Sequence, residues 1–260
     1  MTEIAIEGGR ALIGGEIVET SLRISGGAIS AVGSRRERGA FGLDARGLLV
    51  LPGIVDLHGD AFERQLMPRP GVDFPVDVAL AESDRQAISN GITSLYHAVT
   101  WSWEPGLRSG NHARLLLEAI EMLRPQLAAD TRFHLRHETY NLDAEDEIIQ
   151  WLNGGRIDLL AFNDHMLSTV ASSARPRKRA IMVERSGLSS DAFEALVARV
   201  VARSVGELAE ILQRLTVVAD SSTSVLLETI IPLRNPIPTL PAQQTAATAK
   251  RPRARERVRA

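Results

Sequence analysis

Leu51-Pro52-Gly53-Ile54-Val55-Asp56-Leu57-His58-Gly59-Asp60 is an apolar run that ends in two metal-ligating side chains. Successive side chains on a strand point to opposite faces, so His58 and Asp60 share one. An imidazole nitrogen and a carboxylate oxygen on one face form half of a divalent-cation site. The alternative is a hydrogen-bonded His and Asp at a strand end, and the surrounding sequence chooses between them.

Upstream, short β-like runs at Glu3 to Ile6, Ala11 to Ile13, Ser21 to Ile24 and Ala28 to Val32 alternate with glycine pairs at 8 and 9, 14 and 15, and 26 and 27. Such pairs suit tight turns, which predicts a small β layer. Downstream, apolar runs alternate with helical periodicity, the signature of parallel βα units. Strands are expected at 48–57, 92–99, 132–138 and 157–163, with helices at about 76–89, 111–128 and 143–153 and Asn90-Gly91 capping the first. Each strand ends in polar residues. In a parallel barrel the carboxyl ends of the strands build the active site, so His58, Asp60, His97, Glu138 and Asn163 to His165 would converge on one end. Beyond His165 come a basic loop at 172–178, helical runs at about 189–203 and 205–215, and weak strand signals at Thr216 to Ala219 and Ser224 to Ile231. Pro232, Pro236, Pro238 and Pro241 argue against regular structure after that.

The 260 residues, 44% of them apolar, suffice for a sizeable core. With no cysteine, a thiolate metal site and a disulfide framework are both excluded, and any metal must be held by His, Asp and Glu. No basic leader precedes an apolar stretch and no window reaches membrane-spanning length, so a cytoplasmic protein without a membrane partner is expected. The formal net charge of −2 hides a split, because Lys250, Arg251, Arg253, Arg255, Arg257 and Arg259 face only Glu256. This basic tail reads as solvated and disordered rather than as a nucleic-acid arm.

Asp44-Ala45-Arg46-Gly47-Leu48-Leu49-Val50 leading into the run above resembles the amidohydrolase superfamily, in which a β-sandwich accompanies a metal-bearing barrel. Further stretches resemble its branch that acts on a ribose phosphonate triphosphate in the carbon–phosphorus lyase pathway. They are Asp56 to Arg64, Met67-Pro68-Arg69-Pro70-Gly71-Val72-Asp73, Tyr96 to Glu104, His134-Leu135-Arg136-His137-Glu138 and Phe162-Asn163-Asp164-His165-Met166. The likeness runs from about Ile4 to about Arg203. Relatives continue into strands ending Ser-His-Asp-Asp and Ser-Asp-Tyr, which have no counterpart here. The resemblance therefore implies an incomplete TIM-like (β/α) barrel of about four to six strands, shortened or frame-shifted at its C-terminal end. The expected organisation is a β-sandwich segment at 1–47, a partial barrel at 48–203, a divergent segment at 204–241 and a basic tail at 242–260.

The activity implied is metal-dependent hydrolysis of α-D-ribose 1-methylphosphonate 5-triphosphate to the 5-phosphate and pyrophosphate. The alternative is a catalytically inactive remnant acting as a binding or assembly partner. His58 and Asp60 would hold a first zinc, manganese or iron ion, Glu138 would bridge and His165 would bind a second. Glu138 and His165 have an alternative role as a helix cap or as supports of the ligands. His134, Arg136 and Glu138 alternate with His137 and are the inward candidates on their strand. Phosphate contacts would fall to Arg64, Arg69, Arg136 and His97, with Arg175, Arg177, Lys178 and Arg179 as further candidates. Guanidinium groups suit phosphate oxygens. Solvated arginines and a structural His97 are the competing readings. Trp101 and Trp103 are expected to pack under the barrel rim, the alternative being that they line the ribose pocket. No catalytic residue is assigned. The partners implied are the phosphorylated ribose phosphonate, a second copy of the chain, or other proteins of the same pathway.

Overall fold

The structure, a computed structural model, describes residues 3–34, 36–69, 72–222 and 225–228. The proline-rich stretch from 232 and the basic tail lie outside the described residues, as does all but 225–228 of the weak strand signal at Ser224 to Ile231. The chain divides into two compact units, one ending at Gly53 and the other beginning at Ile54.

The first unit is a mixed sheet of β1 (Ile4–Ile13), β2 (Glu16–Ser25), β3 (Ala28–Val32), β4 (Phe41–Asp44) and β5 (Leu49–Val50). Strands β1, β2 and β3 form consecutive antiparallel hairpins, while β4 and β5 run parallel to β1. Gly14 and Gly15 join β1 to β2 with φ of +59° and +93°. Positive φ at both central positions gives a turn whose twist matches the strands it joins. Gly8-Gly9 is not the expected turn. It is an irregularity within β1, where the register shifts between Ile6 and Gly9. Pairing resumes on both sides of it, with β2 and with β4 or β5, so one long strand replaces two short ones.

The second unit runs β6 (Ile54–Gly59), α1 (Phe62–Leu66), α2 (Val76–Ser89), β7 (Ile92–Trp101), α3 (Gly110–Leu123), β8 (Asp130–Glu138), α4 (Glu145–Asn153), β9 (Leu159–Asn163), α5 (Met166–Ser173), α6 (Pro176–Ser186), α7 (Ser190–Val201), α8 (Val205–Ser221), β10 (Val225–Glu228). Its five strands are all parallel and stand side by side in chain order. Parallel crossovers share one hand, so strands added always on the same side leave every crossover helix on one face. That is barrel winding, and the expected incomplete (β/α) barrel with an N-terminal β unit is what forms.

The core lies between the sheet and this helix layer. In α3, Ala113, Leu116, Leu117 and Ile120 recur at helical spacing and are buried. They meet Val99, Trp101, Phe133, Leu135, Leu160 and Phe162 from the strands and Ile148, Trp151 and Leu152 from α4. Burying each such large side chain contributes about 1.5–3 kcal/mol before entropy is counted. Ser109 caps α3 by accepting from the His112 amide at 3.5 Å. Asn90 and Gly91 end α2 as expected, with Gly91 at φ +79°.

Three local expectations change. The strand expected at 48–57 is two, β5 and β6, interrupted around Pro52, whose nitrogen cannot donate to a ladder. The basic loop at 172–178 is the end of α5 and the start of α6, with Pro176 at the first helical position. Thr216 to Ala219 belongs to α8. Its β-branched residues favour a strand, but Leu208, Ile211, Leu215 and Ala219 recur at helical spacing and bury themselves. Among the described residues no helix is long and apolar enough to cross a membrane.

Candidate metal and phosphate site at the carboxyl ends of the strands

Period-two alternation places His134, Arg136 and Glu138 of β8 on the face opposite the helices, while Phe133, Leu135 and His137 turn toward them. In register beside the first group stand Ala98 and Thr100 of β7 and Leu159, Ala161 and Asn163 of β9.

His134 Nδ1 lies 2.9 Å from the carbonyl oxygen of Leu57, on β6, two strands away. Ala98 of β7, in register with His134, is small, so the ring crosses that strand without a large side chain in its way. The β6 register shifts between Asp56 and Gly59. That irregularity falls at Leu57 and His58. The rings of His58 and His134 meet edge to face with centroids 5.4 Å apart. The His58 amide donates to Asp56 Oδ1 at 2.9 Å. Strand β6 ends at Gly59, so Asp60 follows it, exposed, as is His58. Burial pushes the His134 imidazole down to about 4, and its Nε2 has no hydrogen-bond partner among the described residues.

At the end of β8, Glu138 is 6% exposed and Oε1 lies 2.6 Å from His165 Nδ1, while Oε2 accepts from the His165 amide at 3.4 Å. Glu138 raises the His165 pKa above its ordinary value, against the opposing effect of burial. Arg136 lies between these two groups in sequence. Burial lowers its guanidinium from the usual value and Arg108 acts the same way, while Glu63, Glu138 and Asp60 oppose both. Arg136 Nε has no partner among the described residues. Arg108 pairs with Glu63 at 3.5 Å. Sequence reasoning missed Glu63 and Arg108, whose short helix and loop carry no periodic signal.

The structure thus brings His58, His134, Arg136, Glu138 and His165 to one sheet face or its carboxyl edge, with Asp60 within electrostatic reach. It does not bring His97 there. His97 faces the helix layer, 1% exposed, with its ring 5.3 Å from that of Phe62 and its pKa pushed down by burial to about 4. Arg64 in α1 and Arg69 after it are exposed and form no ion pair among the described residues. Arg179 is tied to Ser190 and Glu194, so it links α6 to α7. Trp101 packs in the core against Trp151, and Trp103 packs beside Met182, Phe193 and Val197. Among the described residues no three His, Asp or Glu side chains gather closely enough to hold an ion together. An open cleft of about 600 Å³ lies beyond β7 and β8, lined among others by Trp103, Glu104, Asn141, Leu188 and Arg199.

No family model matches the chain. Over 129 residues it is 32% identical to α-D-ribose 1-methylphosphonate 5-triphosphate diphosphatase of Escherichia coli, a match that covers 47% of this chain and 33% of that protein. Over 61 residues it is 39% identical to 5-methylthioadenosine/S-adenosylhomocysteine deaminase 2 of Archaeoglobus fulgidus, covering 24% and 15%. Among solved structures, a triazine hydrolase variant is similar with a TM-score of 0.46 at 16% identity, covering 77% of this chain and 58% of that one. Dihydropyrimidinase of Brevibacillus agri has a TM-score of 0.43 at 16% identity, covering 87% and 51%. The matched stretches span a third or less of the curated relatives' length.

Proposed function

We propose that the chain is a metal-dependent hydrolase of the amidohydrolase superfamily that converts α-D-ribose 1-methylphosphonate 5-triphosphate to the 5-phosphate and pyrophosphate. The observation that carries the reading is the convergence of His58, His134, Arg136, Glu138 and His165 at the carboxyl end of a parallel sheet. The 32% identity to the Escherichia coli diphosphatase supports the substrate.

The donor set fits a divalent cation. Imidazoles and carboxylates without thiolates suit zinc, manganese or iron, and the orphan Nε2 of His134 shows a buried lone pair at this place. His58, Asp60, Glu138 and His165 would hold one or two such ions. Held by these residues, such a cation would offset charge building on the phosphoryl oxygens and make a water more acidic. The chain's own residues supply the rest. Arg136, half-buried and with no partner for Nε among the described residues, grips a phosphate oxygen. Arg64 and Arg69, exposed and without an ion pair among the described residues, meet the outer phosphates, and Glu138 holds His165 in orientation. Cytoplasmic location, and assembly as a homo-oligomer or with other proteins of the same pathway, belong to this reading.

A second reading, a catalytically silent chain that binds the same ligand, is favoured by one observation. Glu138 and His165 are bonded to each other, and no three ligands gather among the described residues. Pyrophosphate release from the triphosphate, with manganese, zinc or iron(II) added, separates the two. The hydrolase reading expects metal-dependent release that falls at least about 100-fold in Glu138→Ala and His58→Ala, and that needs higher substrate in Arg136→Met. Release no faster than that of His58→Ala sinks it; ligand binding without turnover supports the second reading.

A further inference from the structure

We infer that His134 and His58 form a two-imidazole site for a single divalent cation, with His134 Nε2 as a ligand that the Leu57 carbonyl orients. The inference deepens the metal-dependent reading above and rests on it for the cation's purpose.

His134 Nδ1 is hydrogen-bonded to the Leu57 carbonyl at 2.9 Å. A carbonyl oxygen only accepts, so Nδ1 carries the proton, and in the neutral ring Nε2 carries the lone pair. That lone pair is buried, the residue being 1% exposed, and it has no partner among the described residues. An unmet buried acceptor costs about 1–3 kcal/mol, so the site favours a species that takes an electron pair. An ionised phosphate oxygen offers no proton and cannot do so; a proton donor or a cation can, and the second imidazole beside it favours the cation. Metal-binding histidines almost always donate their other ring N–H to a carbonyl or carboxylate, which fixes both tautomer and orientation. His134 has that arrangement already in place.

His58 supplies the second imidazole. Two imidazoles on one tetrahedral ion, each with nitrogen about 2.1 Å away, set their ring centroids roughly 5 Å apart. The observed contact, edge to face with centroids 5.4 Å apart, sets the second imidazole within that reach of His134. Leu57, whose carbonyl holds His134, is the residue before His58, so one short irregularity of β6 positions both rings. His97 and His137 also have ring nitrogens without hydrogen-bond partners among the described residues, but they face the helix layer beside Phe62 and Phe162, and the carboxylates that act on them, Asp84 and Glu145, are already held by the Ala128 and Ala129 amides and by Arg214. Asp60, just beyond β6, would take a third position on the ion, and the rest would be open to water or to a phosphate oxygen. An imidazole pair selects zinc or cobalt over magnesium or calcium, which prefer oxygen ligands throughout.

The test reads binding directly. Zinc is added to the whole chain with ¹⁵N-labelled histidines, and cobalt(II) is titrated by its visible absorption into the unaltered chain, His134→Ala and His58→Ala. Expected are shifts of the His134 and His58 ring nitrogens on adding zinc, a loss of cobalt affinity of about 100-fold in each variant, and no such shift with magnesium. The nitrogen shifts come from the unaltered chain, so the question is answered even where a variant folds poorly. Zinc that moves His165 and His58 while leaving His134 Nε2 unmoved overturns the assignment and spares the metal-dependent reading. No zinc binding by the unaltered chain overturns both. Shifts at both rings without pyrophosphate release support the site and count against the substrate alone.

Discussion

Glu138 and His165 stand 27 residues apart in the chain, yet a carboxylate oxygen of the one lies 2.6 Å from Nδ1 of the other, across the carboxyl ends of β8 and β9. The contact raises the His165 pKa above its ordinary value of 6.5. A raised folded-state value means that the contact's stabilisation is complete below 6.5 and fades as pH rises through the folded value. Glu138→Gln should therefore lower the His165 pKa in an NMR titration and reduce stability in mildly acid solution more than in alkaline. The pair is partly solvated, so the loss is no more than about 1 kcal/mol. An unmoved His165 titration would refute it.

Burial holds His97, His134 and His137 at about 4, against an ordinary 6.5. Here the sign is reversed. The unfolded chain takes up protons first, so stability is intact above 6.5 and is lost progressively as pH falls toward 4, by up to roughly 3 kcal/mol for each ring. Urea unfolding at descending pH should show this slope. His137, fully buried and with no hydrogen-bond partner for either nitrogen among the described residues, is the clearest single case. His137→Leu should flatten the slope by about a third. A variant with the same acid sensitivity as the parent removes His137 from the account.

Asp84 of α2 is 7% exposed, and its two carboxylate oxygens accept from the amides of Ala128 and Ala129 at 3.0 and 2.8 Å. It thereby pins the segment leading into β8. Asp84→Ala leaves these two amides without their acceptor, a loss of about 2–4 kcal/mol. Thermal unfolding and hydrogen exchange at Ala128 and Ala129 measure it, and slow exchange that persists in the variant contradicts it. Asp84→Asn keeps the shape but offers only one acceptor oxygen, so it should recover part of the stability.

Beside the open cleft, Arg185 of α6 donates to both oxygens of Glu104 at 2.6 and 2.9 Å, and Glu104 is 5% exposed. Removing only the cation strands a buried carboxylate, so Arg185→Ala should cost about 3 kcal/mol. The double change Glu104→Gln with Arg185→Met should be milder than Arg185→Ala alone. Strictly additive effects in the cycle would show that the two side chains are not coupled.

The barrel strands and their crossover helices were legible because alternation and helical spacing are local. The apolar spacing of Ala113, Leu116, Leu117 and Ile120 announces α3 without reference to any other segment. The alternation of His134, Arg136 and Glu138 likewise puts them together on one face. Local patterns failed where pairing partners decide. Gly8-Gly9 reads as a turn until strands on both sides hold β1 continuous, and Thr216 to Ala219 reads as a strand until α8 buries Leu215 and Ala219.

By itself, then, the sequence determined that an apolar strand leads into His58 and that His134, Arg136 and Glu138 share a face, since a strand's period is fixed by its own backbone. Only the tertiary structure decided that His134 reaches the Leu57 carbonyl two strands away, that Glu138 meets His165, and that His97 turns into the core. Those relations depend on the register between strands and on the irregularity in β6, which arise from hydrogen bonds between segments far apart in the chain.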